Sequence, residues 1–540
     1  MAEPKTTRTR TTRTRTTGKH SRSRTSKAPQ MLKSFNPQTG EVMAEIPTVA
    51  PGEVADAVAQ ARKVAPEWAA IPVEGRVRIL REVRYRIYEL MDEIVETVAA
   101  ETGKPKREAL ITDVFGPIFI LQQHEKAAPR ALRTQRIGGA LSLLWGVKST
   151  IEWRPFGVVG CITPWNYPIA NSFLALTAPL FAGNTIVVKP SEVTPACGEL
   201  LRKILEPLPS GVATIVQGGG DVGAALVDAP VDKISFIGSP GTGRMICEAA
   251  AKHLTPVVME LGGKDAAIVL EDADIESASS GLLWGSFFNS GQTCLSVERI
   301  YVVDEVADRF KDQLLTKLSK VEQEDIGSLT FSKQLEIVQD QVTDAIEKGA
   351  TLLAGGPDAG PRNENGTLFF APTVIENVND EMKVLREETF GPVVTITRVR
   401  DEEEAIRRAN TEAVNLTASV WTGSKQRAQW VAERLRAGGV TSNEHGTLPG
   451  SAWGPWGGYG ESGFGRLNGE LGIREFTAPT HVSHSLTPKM KKLWWFPYDA
   501  DTEATWRGLA GIFGERELPA KLGHVKDVAA TFGRALKNKL

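Results

Sequence analysis

Four short segments hold the residue types that can do chemistry. Phe288-Asn289-Ser290-Gly291-Gln292-Thr293-Cys294 ends on a cysteine behind small residues. A cysteine acts as a nucleophile through its thiolate, in a polar and partly open setting such as a turn. Small residues ahead of it let the backbone approach a substrate closely. Pro164-Trp165-Asn166-Tyr167-Pro168 fixes an asparagine between two prolines, a rigid turn able to aim an amide at an oxyanion. Glu260-Leu261-Gly262-Gly263-Lys264 follows the strand-like Val257-Val258-Met259 and places a carboxylate, a candidate general base, beside roomy glycines. Glu387-Glu388-Thr389-Phe390-Gly391-Pro392-Val393 sets a carboxylate beside an aromatic ring and a turn. Each segment also has a plainer reading: a buried small thiol, a turn, a helix cap, a solvated acidic pair.

The elements around these segments alternate. Helical spacing is predicted over Glu53–Ala65, Glu74–Met91 and Asp92–Thr102, with Gly103-Lys104-Pro105 as a stop signal. From Phe156 short β-rich runs follow: Val158–Ile162, Thr185–Lys189, Ala213–Val216, Ile234–Ile237 and Ala266–Val269. Helical stretches between them indicate βαβ units and a parallel sheet, hence an α/β fold. A second alternating block spans Ile300 to Thr441, and no internal repeat is apparent. The Ile234–Ile237 run leads through Gly238-Ser239-Pro240-Gly241-Thr242-Gly243 into a predicted helix, whose N-terminus attracts pyrophosphate. The glycines lack the GxGxxG spacing.

A chain of 540 residues exceeds one compact core, so two or more domains are expected. Its net charge of −2 implies no polyanionic partner for the body and no specific nucleic acid. Residues 1–27 nevertheless carry nine Lys and Arg against one Glu. Residues 1–30 cannot bury an apolar face and are expected to be disordered. An arm for nucleic acid or anionic surfaces, a solvated tail and a transit peptide all stay open for them. Cys161, Cys197, Cys247 and Cys294 form no CxxC pair and no Cys/His cluster. Neither a disulfide framework nor a metal site is expected, and a reducing cytoplasm suits them. The uncharged run Phe156–Val188 is interrupted by Pro164, Asn166, Pro168, Asn171, Pro179 and Asn184, and reads as strand, loop and helix rather than a membrane span. From Leu486 the composition shifts again. Lys489, Lys491 and Lys492 precede Trp494-Trp495-Phe496, and Val525, Val528, Phe532 and Leu536 make one helical stripe. Such a stripe docks on its own protein or a neighbouring subunit; weak contact with a membrane surface, at the periphery of it, is the alternative.

Seven segments in order, Pro164–Pro168, Lys189–Glu192, Phe236–Ser239, Glu260–Lys264, Gly291–Cys294, Glu388–Pro392 and Ser462–Arg466, resemble the aldehyde dehydrogenase superfamily across residues 32–480. The resemblance implies that Cys294 is the nucleophile and that Asn166 holds the oxyanion. It further implies that Glu260 activates the water that hydrolyses a thioester, which argues against a coenzyme-A-dependent acylating enzyme. NAD is the implied cofactor, with NADP possible in principle. Thr163, Trp165, Lys189, Ser191, Glu192, Gly238, Ser239, Glu388 and Phe390 would bind it, Glu192 toward the adenosine ribose. A carboxylate there repels a 2′-phosphate, so a preference for NAD is expected. Asn171, Leu174, Phe288 and Thr293 would look toward the substrate tunnel.

The implied architecture is a Rossmann-like coenzyme domain over 31–126 and 148–261 and an α/β catalytic domain over 262–477. A β-arm for oligomerisation, 127–147 and 478–487, and a C-terminal amphipathic extension, 488–540, complete it. A homodimer or homotetramer is the expected assembly. Two departures stand out. Val414-Asn415-Leu416 replaces a common Tyr-Gly-Leu, where losing the glycine is expected to tighten a turn. The C-terminal extension and Val297–Val302 are similar to a bacterial succinate-semialdehyde-dehydrogenase-like subgroup. A substrate carboxylate normally wants an Arg, yet Phe288 stands six residues before Cys294. With Trp284 and Phe287 it predicts an apolar mouth for an aliphatic or aromatic aldehyde, succinate semialdehyde being the alternative. A catalytically idle structural or binding member is the rival from another class; Asn166, Glu260 and Cys294 speak against it.

Overall fold

The computed structural model describes residues 30–537, apart from 140, 141, 143, 144, 362, 364, 365, 412, 413, 448–450, 490, 491 and 497, and apart from the side chain of 536. The basic tail therefore lies outside the described residues except for Gln30, as do Lys491 and the side chain of Leu536.

An antiparallel pair, β1 (Met31–Phe35) and β2 (Val42–Pro47), opens the described chain. After β3 (Gln135–Ile137) and β4 (Val147–Pro155) come β5 (Val158–Ile162), β6 (Thr185–Lys189), β7 (Ala213–Ile215), β8 (Lys233–Ile237) and β9 (Val257–Glu260). These last five run parallel in the order β9-β8-β5-β6-β7. Their residues are buried almost throughout, as a sheet covered on both faces requires. Alternation then sorts the side chains. Cys161, Ile186 and Val188 join the core under the helix Ala170–Ala182. Val158, Val187 and Ile234 join the opposite one with Val54, Val58 and Ala61 of the helix Pro51–Ala70. Cys161 and Cys197 are thus core thiols, and burial pushes both well above the usual thiol range.

A second sheet is built from β10 (Asp265–Val269), β11 (Val297–Val303), β12 (Thr351–Ala354), β13 (Thr373–Glu376), β14 (Val393–Val399), β16 (Thr417–Trp421) and β17 (Gly439–Ser442). Its order is β12-β13-β14-β11-β10-β16-β17, parallel except for β12. Between β14 and β16, the short β15 (Val414–Asn415) pairs with β18 (Tyr459–Gly460). Next, β19 (Gly463–Phe464) joins the first sheet antiparallel to β9, and β20 (Thr477–Ser485) pairs with β4, which pairs with β3. The three-stranded sheet starts later and ends later than the predicted 127–147, because the helix Gly116–Ala131 continues through that boundary and β4 runs on to Pro155.

The chain ends in two helices, Ala500–Gly514 and Leu518–Lys537, packed against each other. A Cβ on Gly508 would lie 2.6 Å from Val528, so the glycine permits this close packing. Trp145, beside β4, lies 5.5 Å from both the Trp494 and the Trp506 rings. The extension thus docks on its own chain. Among the described residues no helix is long and apolar enough to cross a membrane.

Candidate active site

Parallel strands align their C-terminal ends, and ligands of open α/β sheets bind where the strand order reverses. Here β5 is flanked by β6 on one side and β8 on the other, so the reversal lies between β5 and β8. That edge holds Thr163 after β5, Lys189 at the end of β6, Gly238 after β8 and Glu260 at the end of β9. Ile237 is the register partner of Glu260.

Cys294 follows a tight left-handed bend in which Asn289, Ser290 and Gly291 take φ of 53°, 55° and 69°. At Gly291 a Cβ would meet the Gly391 carbonyl oxygen at 2.0 Å, so no other residue fits. Two non-glycine residues in this region hold strain that neighbours must over-determine. They do so here. Glu108 accepts the Asn289 N–H at 2.9 Å, and the Asn289 amide donates to the carbonyls of Asn166 (3.2 Å) and Gln292 (3.1 Å). Burial, and then the charges of Glu388, Asp265 and Glu260, push the Cys294 thiol well above its ordinary range.

Asn166 is held from three sides. Its side-chain oxygen accepts from the Asn171 amide at 3.0 Å, which fixes the direction of its NH2 group, and one N–H donates to the Gln292 carbonyl at 3.0 Å. An amide nitrogen has a second N–H to offer. Underneath, Lys104 donates to the Asn166 carbonyl at 2.7 Å and to Asp113 at 3.2 Å, with its ammonium 4.0 Å from the Tyr167 ring centre. Asp113 also takes the N–H groups of Ile169 and Ala170, each at 3.0 Å. Lys104, read from sequence only as part of a helix stop, is thus a fully buried brace for the Asn166 turn. Asn171 acts in that brace as well as lining the tunnel.

Glu260 is gripped through its backbone. Gly463 of β19 is its antiparallel partner, Leu261 donates its N–H to the Ser462 carbonyl at 3.0 Å, and the Ser462 hydroxyl donates to the Gly262 carbonyl at 2.7 Å. Its carboxylate is different: the Trp456 ring N–H is the one side-chain donor that acts on it, and neither oxygen makes a close, well-aligned hydrogen bond among the described residues. Burial raises this carboxyl to about 8, opposed by the charge of Arg466 and by the Trp456 donor.

Glu260, Cys294 and the four predicted tunnel residues, Asn171, Leu174, Phe288 and Thr293, line one cavity of about 450 Å³. Phe288 lies between Trp284 (4.4 Å) and Tyr167 (6.3 Å). Ile111, Phe115, Trp284 and Trp453, all partly exposed, widen the apolar lining toward solvent. Among the described residues the lining contains no Lys or Arg.

After β8, Ser239 caps the helix Pro240–Ala251 by accepting from Thr242 N–H, and a Cβ on Gly241 would meet open space. A clear helix N-terminus of this kind suits a pyrophosphate. Lys189 pairs with Glu192, whose carboxylate is the more exposed partner. The Ser191 hydroxyl accepts the Val193 N–H, and Thr163 is hydrogen-bonded to Ser172. Trp165 meets Phe390 edge-on at 5.4 Å. Glu388 accepts the Gly263 N–H at 2.9 Å, and a Cβ on Gly262 would lie 2.1 Å from its carboxylate. Burial raises that carboxyl to about 8. The loop carrying Glu388 and Phe390 hangs on a buried Lys264–Glu298 ion pair, with Glu298 accepting the N–H groups of Thr389 and Phe390. Lys264 was visible only as the end of a glycine segment, and Glu298 as part of a strand; neither carries a local signal. The Val414-Asn415-Leu416 departure also finds its reason here. Asn415 lies in strand β15 with no positive φ, so no turn is tightened, and its side-chain oxygen accepts from buried Arg299.

Comparison with known proteins places this architecture. The family model described as "Aldehyde dehydrogenase family" matches residues 24–482. The 4,4'-diapolycopene aldehyde oxidase of Methylomonas sp is 36% identical, with 90% of this chain and 92% of that protein aligned. A Mycolicibacterium smegmatis protein provisionally named succinate-semialdehyde dehydrogenase [NADP(+)] is 37% identical over 83% of this chain and 87% of its own. Among solved structures, a point mutant of betaine aldehyde dehydrogenase from Staphylococcus aureus in complex with NAD+ superposes with a TM-score of 0.81 at 30% identity, covering 87% of this chain and 96% of its own. The chain belongs to the aldehyde dehydrogenase family and, with it, to the NAD(P)-dependent oxidoreductases.

Proposed function

We propose that this enzyme oxidises an apolar aldehyde to its carboxylic acid, with Cys294 as nucleophile, Asn166 as oxyanion donor and Glu260 as general base. The Cys294 thiol gives its proton to water in the cavity, the sulfur adds to the carbonyl carbon, and the carbonyl oxygen becomes an oxyanion. The second N–H of the Asn166 amide and the Cys294 backbone N–H stabilise it, and one such donor is worth about 10²–10³ in rate. The bound nicotinamide supplies the acceptor for the hydride that leaves this carbon. An acyl thioester then remains on Cys294. Glu260 takes a proton from water as that water adds to the thioester carbon; collapse expels the sulfur and frees the acid. Cofactor contacts are assigned to Thr163, Trp165, Lys189, Ser191, Glu192, Gly238, Ser239, Glu388 and Phe390. With Glu192 at the adenosine ribose, NAD is preferred over NADP.

The observation that carries the substrate reading is the cavity lining. It pairs the buried Glu260 carboxylate with aromatic and aliphatic walls and offers no described Lys or Arg to a second carboxylate. The Methylomonas relative, named for 4,4'-diapolycopene aldehyde, supports this choice. The relatives named for succinate semialdehyde favour the acidic alternative. NADH formation at 340 nm across short, long, aromatic and acidic aldehydes decides between them. The highest kcat/KM is expected for a long aliphatic or aromatic aldehyde; a preference for the acidic one refutes the reading.

The sheet of β3, β4 and β20 is proposed as the arm through which subunits associate, giving a homodimer or homotetramer. Light scattering of the intact chain tests this, and a monomer at micromolar concentration refutes it.

A further inference from the structure

Away from the catalytic cavity, the two C-terminal helices and the segment before them enclose a second apolar groove of about 490 Å³. Trp145, Trp494, Trp506, Phe513, Val528 and Phe532 line it, with Lys492 at its edge hydrogen-bonded to Thr487. The stripe of the last helix therefore faces this groove without filling it. Around the groove the surface stays apolar where a folded domain normally becomes polar. Phe496 is 80% exposed, Leu518 68% and Phe513 66%, with Tyr498 and Leu522 also exposed. Exposed apolar side chains gathered in one helical hairpin, with Phe496 against Tyr498 and Phe513 on the groove itself, mark a site of contact.

The charges around it select the partner. Residues 486–540 carry ten Lys and Arg against six Asp and Glu, a balance of +4 in a chain whose total is −2. Two of the acidic groups are used internally, Asp501 by Arg534 and Glu503 by Arg507. Lys489, Lys521 and Lys526 take part in neither of these pairs. On the last helix, Leu518, Leu522 and Val525 share one face at i, i+4 and i+7 spacing, and Lys521 and Lys526 fall on its two flanks. Lysine is depleted at protein–protein interfaces. Aromatic rings and aliphatic side chains flanked by lysines are instead the composition of helices that lie in the headgroup layer, where the ammonium groups meet lipid phosphates.

We infer that the C-terminal helical hairpin is a docking surface for an anionic lipid bilayer, lying in the interface with its aromatic groove against the acyl chains. No described helix spans a membrane, so the contact is peripheral. This surface is distinct from the catalytic cavity and does not depend on which aldehyde that cavity takes.

The test is flotation of the full-length chain with vesicles of phosphatidylcholine alone and of phosphatidylcholine with phosphatidylglycerol. It compares wild type, Phe496→Ala/Phe513→Ala/Leu522→Ala, and Lys521→Glu/Lys526→Glu. All three keep the basic residues of the N-terminal tail, so that contribution is common. Turnover of a short soluble aldehyde, expected to be unchanged, confirms that the variants fold. Wild type is expected to float with the anionic vesicles, and both variants to lose at least about tenfold in bound fraction. At about 0.5 M NaCl, where exposed charges are largely screened, the aromatic variant alone is expected to stay below wild type. Equal flotation of wild type and the aromatic variant overturns the proposal, as does failure of wild type to bind. A fall in oligomer mass in the aromatic variant also overturns it and gives the surface to a second copy of the chain.

Discussion

Replacing Glu260 with Gln should separate the two halves of the reaction. The change is nearly isosteric, so the apolar cavity and the grip of β19 on β9 persist, and only the base is lost. In the wild type the carboxyl sits at about 8 because burial disfavours its charge. A base must be ionised to act, so about one site in ten is competent at pH 7 and about one in a hundred at pH 6. Thioester hydrolysis should therefore rise about tenfold per pH unit below 7 and level off above 8. General-base catalysis contributes about 10²–10⁴ in rate, so Glu260→Gln should slow hydrolysis by that factor and flatten its pH profile. Rapid mixing with aldehyde and NAD+ should then show a burst of about one NADH per site followed by slow turnover. Loss of the burst, with the first turnover slowed as much as the rest, refutes the assignment and moves Glu260 to the attack of Cys294. A stability effect follows with the opposite sign. Since folding raises this carboxyl from 4.5 to about 8, its contribution to stability is full below pH 4.5 and is lost as pH rises through 8. Glu260→Gln, neutral throughout, should gain in Tm relative to wild type above pH 8.

Further outcomes follow from other contacts. Lys104→Met leaves Asp113 as a buried uncompensated charge, which costs about 3–5 kcal/mol; thermal unfolding should show it, and an unchanged Tm would refute the brace. Asn171→Ala frees the Asn166 amide to rotate, so kcat should fall more than KM changes, by up to the 10²–10³ of a lost oxyanion donor; a pure KM effect would leave Asn171 as a tunnel wall only. Phe288→Arg brings a cation to the tunnel, and a charged hydrogen bond of about 1.5–3 kcal/mol should raise the kcat/KM ratio of acidic over aliphatic aldehyde by about tenfold or more. Glu192→Ser should relax the preference for NAD over NADP by about tenfold in kcat/KM; an unchanged ratio would remove Glu192 from the adenosine ribose.

Much of this site could be read along the chain because its chemistry is local. A strand that ends in a glycine-flanked carboxylate, an asparagine between prolines and a cysteine behind Ser-Gly-Gln-Thr are contiguous signals. Apolar runs located four of the five parallel strands of the first sheet to within a residue or so, since a sheet covered on both faces requires unbroken burial, whereas the fifth run, Ala266–Val269, belongs to the second sheet. The positioning groups were not legible in the same way. Lys104 reaches Asn166 across 62 residues, Glu298 reaches Phe390 across 92, and Ser462 reaches Gly262 across 200. A buried ammonium or carboxylate looks identical in sequence to a solvated one until the fold removes its water. The thiols differ already along the chain, Cys161 inside the apolar Val158–Ile162 run and Cys294 behind a polar turn, but only the tertiary structure shows one closed in the core and the other on a cavity shared with Glu260. The sequence by itself determined the order of elements, through local spacing, and named candidate reacting groups through its resemblance to a family. Which charges are buried, which atoms are left without partners and which apolar surfaces stay uncovered were decided by long-range packing, because desolvation depends on what closes over a group and not on what precedes it.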